Sequence, residues 1–143
     1  MKVIKGNIWD YWKKGYWIVI PTNGTIKKNG ECVMGRGLAL QAKNLYKGLP
    51  KMLGSDIKKF GNFPHCYKEY HIITFPVKYN YWEKADLKLI ELSANLINKL
   101  TSLSDDKIAL PKVGCGNGKL NWKEVEPILD KYLDERFIVV DLC

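Results

Sequence analysis

The sequence is poor in the residues that staple a chain, hold a metal or read a base edge. It has four cysteines, Cys32, Cys66, Cys115 and Cys143, and none forms a C-x-x-C pair. Its two histidines, His65 and His71, do not stand at helical i, i+4 spacing. A structural zinc site needs clustered ligands, and a disulfide framework belongs to secreted chains, so neither organises this one and no metal is expected. Cys115 lies between glycines with no histidine near it in sequence, and reads as a packing residue rather than a nucleophile. Only Arg36 and Arg136 among the 23 cations are arginine. Arginine reads guanine edges and clamps phosphate with two bonds, so its scarcity argues against sequence-specific DNA readout. No apolar run approaches the roughly 20 residues that span a bilayer. The amino terminus, Met1 to Gly6, shows no signal-peptide core or cleavage site, so a cytoplasmic setting without membrane contact is expected. Repeats, low-complexity tracts and linkers are also absent, and residues 1–143 read as one domain.

What is present is enough for a core. Hydrophobic residues make up 46% and aromatics 12%, too apolar a balance for a disordered chain. The formal charge of +8 is uneven. Residues 1–70 hold 12 Lys and Arg36 against 4 acids, a net of +9, whereas residues 71–143 hold 9 Lys and Arg136 against 11 acids, a net of −1. Such a field draws in phosphates. Its smallest sufficient role is attraction of a pyrophosphate ligand, and non-specific attraction of DNA is admitted beside it.

Strand and helix patterns alternate along the chain. Residues 2–5 (KVIK) read as an edge strand and 16–20 (YWIVI) as a buried strand ending at Pro21. Residues 69–75 (EYHIITF) read as a strand stopped by Pro76, 107–110 (KIAL) as one ending at Pro111, and 137–142 (FIVVDL) as a last buried strand. Helices are expected near 36–46, with Leu38, Leu40, Ala42 and Leu45 available to the core, and near 50–60, with Pro50 in its first turn. The spacing of Leu87, Ile90, Ala94, Ile97 and Leu100 predicts a helix over about 83–101, and Asn121 with Glu124 predicts a capped one over about 122–133. The pattern is an α/β sandwich with helices on both sheet faces. Ligands in such folds sit over the carboxyl ends of the strands, where the 21–37, 76–82 and 111–120 loops converge.

Two of these loops are glycine-rich. Met34-Gly35-Arg36-Gly37 stands directly before a predicted helix, and Gly114-Cys115-Gly116-Asn117-Gly118 follows a predicted strand. Glycine lets backbone approach a ligand, and a helix N-terminus presents free N–H donors to an anion. Neither loop is a Walker or dinucleotide fingerprint. Pattern alone leaves open both a ligand with two phosphates and plain turns.

Taken in order, the pieces resemble a macrodomain over nearly the whole chain. The matching strings are Lys5-Gly6-Asn7-Ile8, Pro21-Thr22-Asn23, Val33-Met34-Gly35-Arg36-Gly37-Leu38-Ala39, Phe75-Pro76-Val77-Lys78, and Pro111 through Gly118 followed by Leu120 and Trp122. The F-P-x-K string is similar to the antitoxin-like branch that removes ADP-ribose from DNA thymidine. The resemblance implies a three-layer α/β/α macrodomain with a central mixed sheet and a cleft for ADP-ribose. Gly6, Asn7 and Ile8 would meet the adenine, at a position where most macrodomains carry Asp in place of Asn7. Thr22 and Asn23 would face the distal ribose. Gly35, Arg36 and Gly37 would line one side of the pyrophosphate and Gly114, Cys115, Gly116, Asn117 and Gly118 the other, with Met34, Pro111 and Val113 also binding ADP-ribose. Lys78, with Asn23, would be catalytic, without metal or cofactor. The terminal glycohydrolases of the family also use an acid where this chain has Gly118, so their two-residue mechanism does not transfer. The resemblance thus implies a hydrolase acting on ADP-ribosylated DNA or protein, and a monomer is expected because nothing in the sequence suggests an interface. A non-catalytic ADP-ribose reader, an ADP-ribose 1″-phosphate phosphatase and a plain nucleic-acid binder are the alternatives.

Overall fold

The computed structural model describes residues 1–142, so Cys143 lies outside the described residues. The chain runs β1 (Lys2–Lys5), α1 (Ile8–Lys13), β2 (Trp17–Asn23), α2 (Gly37–Leu45), α3 (Leu49–Phe60), β3 (Cys66–Tyr67), β4 (Ile72–Lys78), α4 (Leu87–Leu100), β5 (Ile108–Leu110), α5 (Trp122–Tyr132) and β6 (Phe137–Asp141). The strands form one mixed sheet in the order β1-β6-β5-β2-β4-β3, with only β3 antiparallel to its neighbour.

Period-2 alternation builds two cores on this sheet. Val19, Ile73, Phe75, Ile108, Leu110 and Val139 pack with Ile90, Ala94 and Ile97 of α4 and Val125 and Leu129 of α5. Ile18, Ile20, Ile72, Ala109 and Val140 face the other way, onto Ile8, Ala42, Leu49, Leu53 and Ile57 of α1, α2 and α3. The expected α/β/α layering is therefore what forms.

Several boundaries differ from expectation, each for a local reason. β2 continues through Pro21 to Asn23, and β4 through Pro76 to Lys78. Trp17 N–H donates to the Lys107 carbonyl on the β5 side, so Pro21, four residues on, turns its nitrogen the same way. By then β5 has ended at Leu110, and no ladder bond is lost. Thr74 N–H donates to the His65 carbonyl on the β3 side, so the Pro76 nitrogen likewise points past the end of a two-residue strand. α4 starts at Leu87 rather than near Glu83, because Asp86 caps it, accepting from Leu89 N–H at 3.0 Å. The residues before it bond elsewhere: Ala85 N–H donates to the Gly118 carbonyl and Asp86 N–H to the Val77 carbonyl. Leu45 and Leu100, expected on core faces, are exposed at the last residues of their helices. The short α1, which carries no full apolar period, forms because Asn7 caps it, accepting from Trp9 N–H at 3.0 Å.

Candidate functional site

β1, β6, β5, β2 and β4 are parallel, so their carboxyl ends open on one rim of the sheet. A cleft of about 710 Å³ lies there. Gly6, Asn7 and Ile8 enter it from the end of β1, Thr22 and Asn23 from β2, Lys78 from β4, and Pro111 from the residue after β5. Met34, Gly35, Arg36 and Gly37 form one wall and Gly114, Cys115, Gly116, Asn117 and Gly118 the facing one. Val113 is the exception: its side chain is fully buried in the α4/α5 core, because the chain leaves β5 at Leu110 and turns at Val113 and Gly114, which directs the valine inward. The cleft also takes Gln41, Tyr81 and Asp141, which the motifs did not single out, and Lys112, which lies within a matching string but has no role assigned to it there. The sequence signal for Tyr81 is the aromatic run Tyr79-Asn80-Tyr81-Trp82 directly after a strand.

The two glycine loops are built differently. α2 starts at Gly37 with Arg36 in the cap position and no side-chain cap. Its first N–H donors are left to whatever occupies the cleft, and anions suit them. The 113–120 loop is a tight coil: Cys115 N–H donates to the Lys112 carbonyl at 3.2 Å, Lys119 N–H to Gly116 at 3.0 Å, and Leu120 N–H to Gly114 at 2.9 Å. Lys119 holds a left-handed φ of 63° to close it. A Cβ at Gly118 would overlap the Gly114 carbonyl oxygen and stand 2.7 Å from Ala85 Cβ. An acid at this position is thus excluded by space, not merely absent from the sequence. Burial pushes the Cys115 thiol up from its ordinary range, and its S–H donates to the Val113 carbonyl at 3.5 Å. That state suits packing and not nucleophilic attack.

The Asn23–Lys78 pair depends on an irregularity. Thr22 pairs with Pro76, but the register then shifts, so Asn23 comes opposite Lys78 and not Val77. A bulge of this kind re-aims side chains at a strand end. Both ends of the Asn23 amide are used: Nδ2 donates to the Val33 carbonyl at 3.0 Å, and Oδ1 accepts from Thr25 N–H at 2.9 Å. Asn23 therefore ties the 24–35 loop to β2 while facing the cleft. Lys78 Nζ reaches two carbonyl oxygens, Tyr81 at 3.2 Å and Asn117 at 3.3 Å, and so bridges the 79–84 segment to the second glycine loop. Partial burial, followed by the Arg36 and Lys119 charges, lowers its pKa from the ordinary lysine value. At the cleft edge Lys112 pairs with Asp141 at 3.1 Å and lies over the Trp122 ring. Among the described residues, no three His, Cys, Asp or Glu side chains gather as a metal site. No helix among them is long and apolar enough to cross a membrane.

Several known proteins are similar to this chain in sequence or fold. No protein-family model matches the chain. The DNA ADP-ribosyl glycohydrolases of Mycobacterium bovis and Mycobacterium tuberculosis are each 35% identical to it over 109 residues, 66% of this chain and 30% of theirs. The chain thus spans under a third of the length of the curated relatives it matches. Among solved structures, Thermosipho africanus DarTG in complex with ADP-ribose superposes with a TM-score of 0.73 at 25% identity, over 88% of this chain and 37% of that one. The macrodomain of Mycobacterium tuberculosis DarG gives 0.75 at 24% identity, over 98% and 96% of the two chains. The Thermus aquaticus DarG macrodomain gives 0.73 at 21% identity, over 99% and 97%. A mixed sheet between two helical layers, paired glycine loops at its rim and these likenesses together give the chain the macrodomain fold, similar in sequence and structure to the DarG macrodomains.

Proposed function

We propose that this macrodomain binds ADP-ribose in the cleft and hydrolyses its glycosidic bond to a DNA base. The observation that carries the reading is the Lys78 amine at the cleft wall, opposite Asn23 and between two carbonyls. A neutral amine has two hydrogens and one lone pair. With both hydrogens donated to the Tyr81 and Asn117 carbonyls, the lone pair is left for the cleft. The depressed pKa increases the neutral fraction near neutrality. Such an amine can add to the anomeric carbon as the bond to the base breaks, or take a proton from the water that attacks it. The proton shed by the amine adduct, or by the attacking water through the amine, passes to the leaving base; in the first route a water then displaces the amine, and in both the water's hydroxyl ends on the anomeric carbon of free ADP-ribose.

In this reading the pyrophosphate lies between the uncapped start of α2 and the 114–118 coil, where backbone N–H groups and Arg36 offset its charge. Asn23 holds the distal ribose, and Asn7 and Ile8 the adenine. Lys13 and Lys14 end α1 at the amino end of the sheet, away from the cleft, so they contribute only to the general field. Lys27 is paired with Glu31 at 3.6 Å.

The direct test incubates the protein with single-stranded DNA carrying ADP-ribosyl thymidine and, separately, with ADP-ribosylated protein, and follows free ADP-ribose by mass spectrometry. Release from the DNA supports the reading. Tight ADP-ribose binding by calorimetry with no release from either substrate makes the protein a reader instead.

Two variants probe the cleft further. Asn7 uses its oxygen to cap α1, and its other end is an amide donor that cannot accept from the adenine amino group. Asn7→Asp keeps the cap and adds a charged acceptor, so ADP-ribose affinity is expected to rise about fivefold with no loss of stability. Unchanged affinity in calorimetry would place adenine elsewhere. Lys119→Asn keeps a residue that accepts positive φ but removes one of the cations that depress Lys78. The amine then loses its proton at higher pH, so the rising limb of the kcat–pH profile moves to higher pH. Lys119→Arg should leave that limb in place.

A further inference from the structure

The loop beyond Lys78 exposes aromatic surface that the fold does not need. Trp9, Trp12, Trp17 and Trp122 are all partly buried, and Trp82 alone of the five tryptophans is exposed, at 67%. Tyr81 is 51% exposed, and the two rings meet edge to face with centroids 5.2 Å apart at 87°. Leaving such rings in water forgoes the stabilisation that burial gives, and exposed apolar patches mark contact sites. This patch is anchored to the chemistry. The Tyr81 carbonyl holds Lys78 Nζ, its N–H donates to Thr25 Oγ1 at 3.0 Å, and its side chain lines the cleft. Trp82 follows just outside the cleft. Asn62 Nδ2 donates to the Lys78 carbonyl at 3.2 Å, which brings the half-exposed Phe63 to the same flank.

The charge around the patch is positive. Arg36 and Lys119 act on Lys78, and Lys84 is exposed beside Trp82. The one acid among these neighbours, Glu83, is exposed and accepts from Asn80 N–H and Nδ2 at 2.8 and 3.0 Å, which leaves Arg36, Lys119 and Lys84 in excess. Planar apolar rings flanked by cations match a strand of bases and phosphates better than they match a peptide. On the proposed reading of the cleft, the bond to be broken lies at Lys78, so the acceptor must leave across Tyr81 and Trp82. We infer that Trp82, set at right angles to Tyr81, is a stacking platform for an unpaired base of the strand that carries the ADP-ribose. A duplex keeps its base faces stacked on one another and cannot offer one.

The test begins with binding of a short, labelled, unmodified single-stranded oligothymidylate, read by fluorescence anisotropy. Trp82→Ala is expected to weaken it about tenfold, and Trp82→Leu, apolar but without a π-face, equally. Trp82→Phe should recover most of the loss. Affinity for free ADP-ribose, by calorimetry, and the melting temperature should not move. Oligonucleotide binding unaffected by Trp82→Ala overturns the inference. So does an equal loss in turnover of an ADP-ribosylated peptide, which would make the patch a protein-docking surface. A protein that binds the strand through Trp82 but releases no ADP-ribose from modified DNA would refute the hydrolase reading and leave the platform standing.

Discussion

Lys78→Ala is expected to reduce ADP-ribose release from modified DNA by about a thousandfold, the middle of the range for loss of a group that attacks or moves a proton at the reacting centre. Affinity for free ADP-ribose should stay close to wild type. The side chain bridges two backbone carbonyls rather than closing the core, and it stands among cations. Removing a positive charge weakens attraction of the pyrophosphate slightly, while Arg36 and the N–H donors of α2 and the 114–118 coil remain. Lys78→Arg is the sharper variant. It preserves charge and length, but a guanidinium does not lose its proton in the working pH range, so it should be as inactive as alanine. A charge-only role for Lys78 would instead let arginine restore most of the rate. Single-turnover measurement across pH separates these outcomes. Wild type should gain rate as pH rises through the lowered lysine pKa, because the unprotonated amine is the active form, and Lys78→Arg should show no such limb.

Gly54→Ala is expected to destabilise the protein by about 2 kcal/mol, lowering Tm by about 5 °C. Helix propensity alone gives the opposite sign, since alanine inside a helix is favoured over glycine by about 1 kcal/mol. Gly54 lies in the middle of α3, yet it is buried against the 24–35 loop. A Cβ there would overlap the Gly30 carbonyl oxygen and approach Cys32 N to 3.1 Å. Both contacts are backbone, so no flexible side chain can move aside. The same loop is pinned to α3 by Cys32 N–H donating to the Pro50 carbonyl at 2.9 Å and by Lys51 Nζ donating to the Asn29 carbonyl at 2.8 Å. It also leads directly into Met34-Gly35-Arg36-Gly37. Lifting it off α3 should therefore weaken ADP-ribose binding along with stability. Gly48→Ala is the control, because Gly48 caps the same helix at φ −79° with open space around it. It should be neutral or slightly stabilising by thermal melt. If Gly54→Ala behaved like Gly48→Ala, the loop would be free to adjust, and the tight packing of its backbone would not be what holds the cleft wall.

These expectations differ in how far they could be read from the chain. Lys78 stands out among abundant lysines only because F-P-x-K resembles the string of the antitoxin-like macrodomains. The two glycine loops are legible because glycine and proline punctuate structure locally. The positions that were misjudged have partners remote in sequence. Pro21 and Pro76 appeared to end strands, and they do not, because the neighbouring strands stop first. Val113 sits in the motif that forms the cleft wall but turns into the core.

The sequence by itself determined the α/β/α layering, since helix and strand periods and the residues that interrupt them are properties of neighbouring positions. It also determined the order of the loops that reach the cleft and the residue types they carry. Only the tertiary structure decided that a register shift brings Asn23 opposite Lys78, that Gly118 has no room for an acid, and that Trp82 stays in water while the other tryptophans find cover. Strand register, steric room and exposure all depend on which distant segments pack together. They arise when the chain closes on itself, and no short stretch of it encodes them.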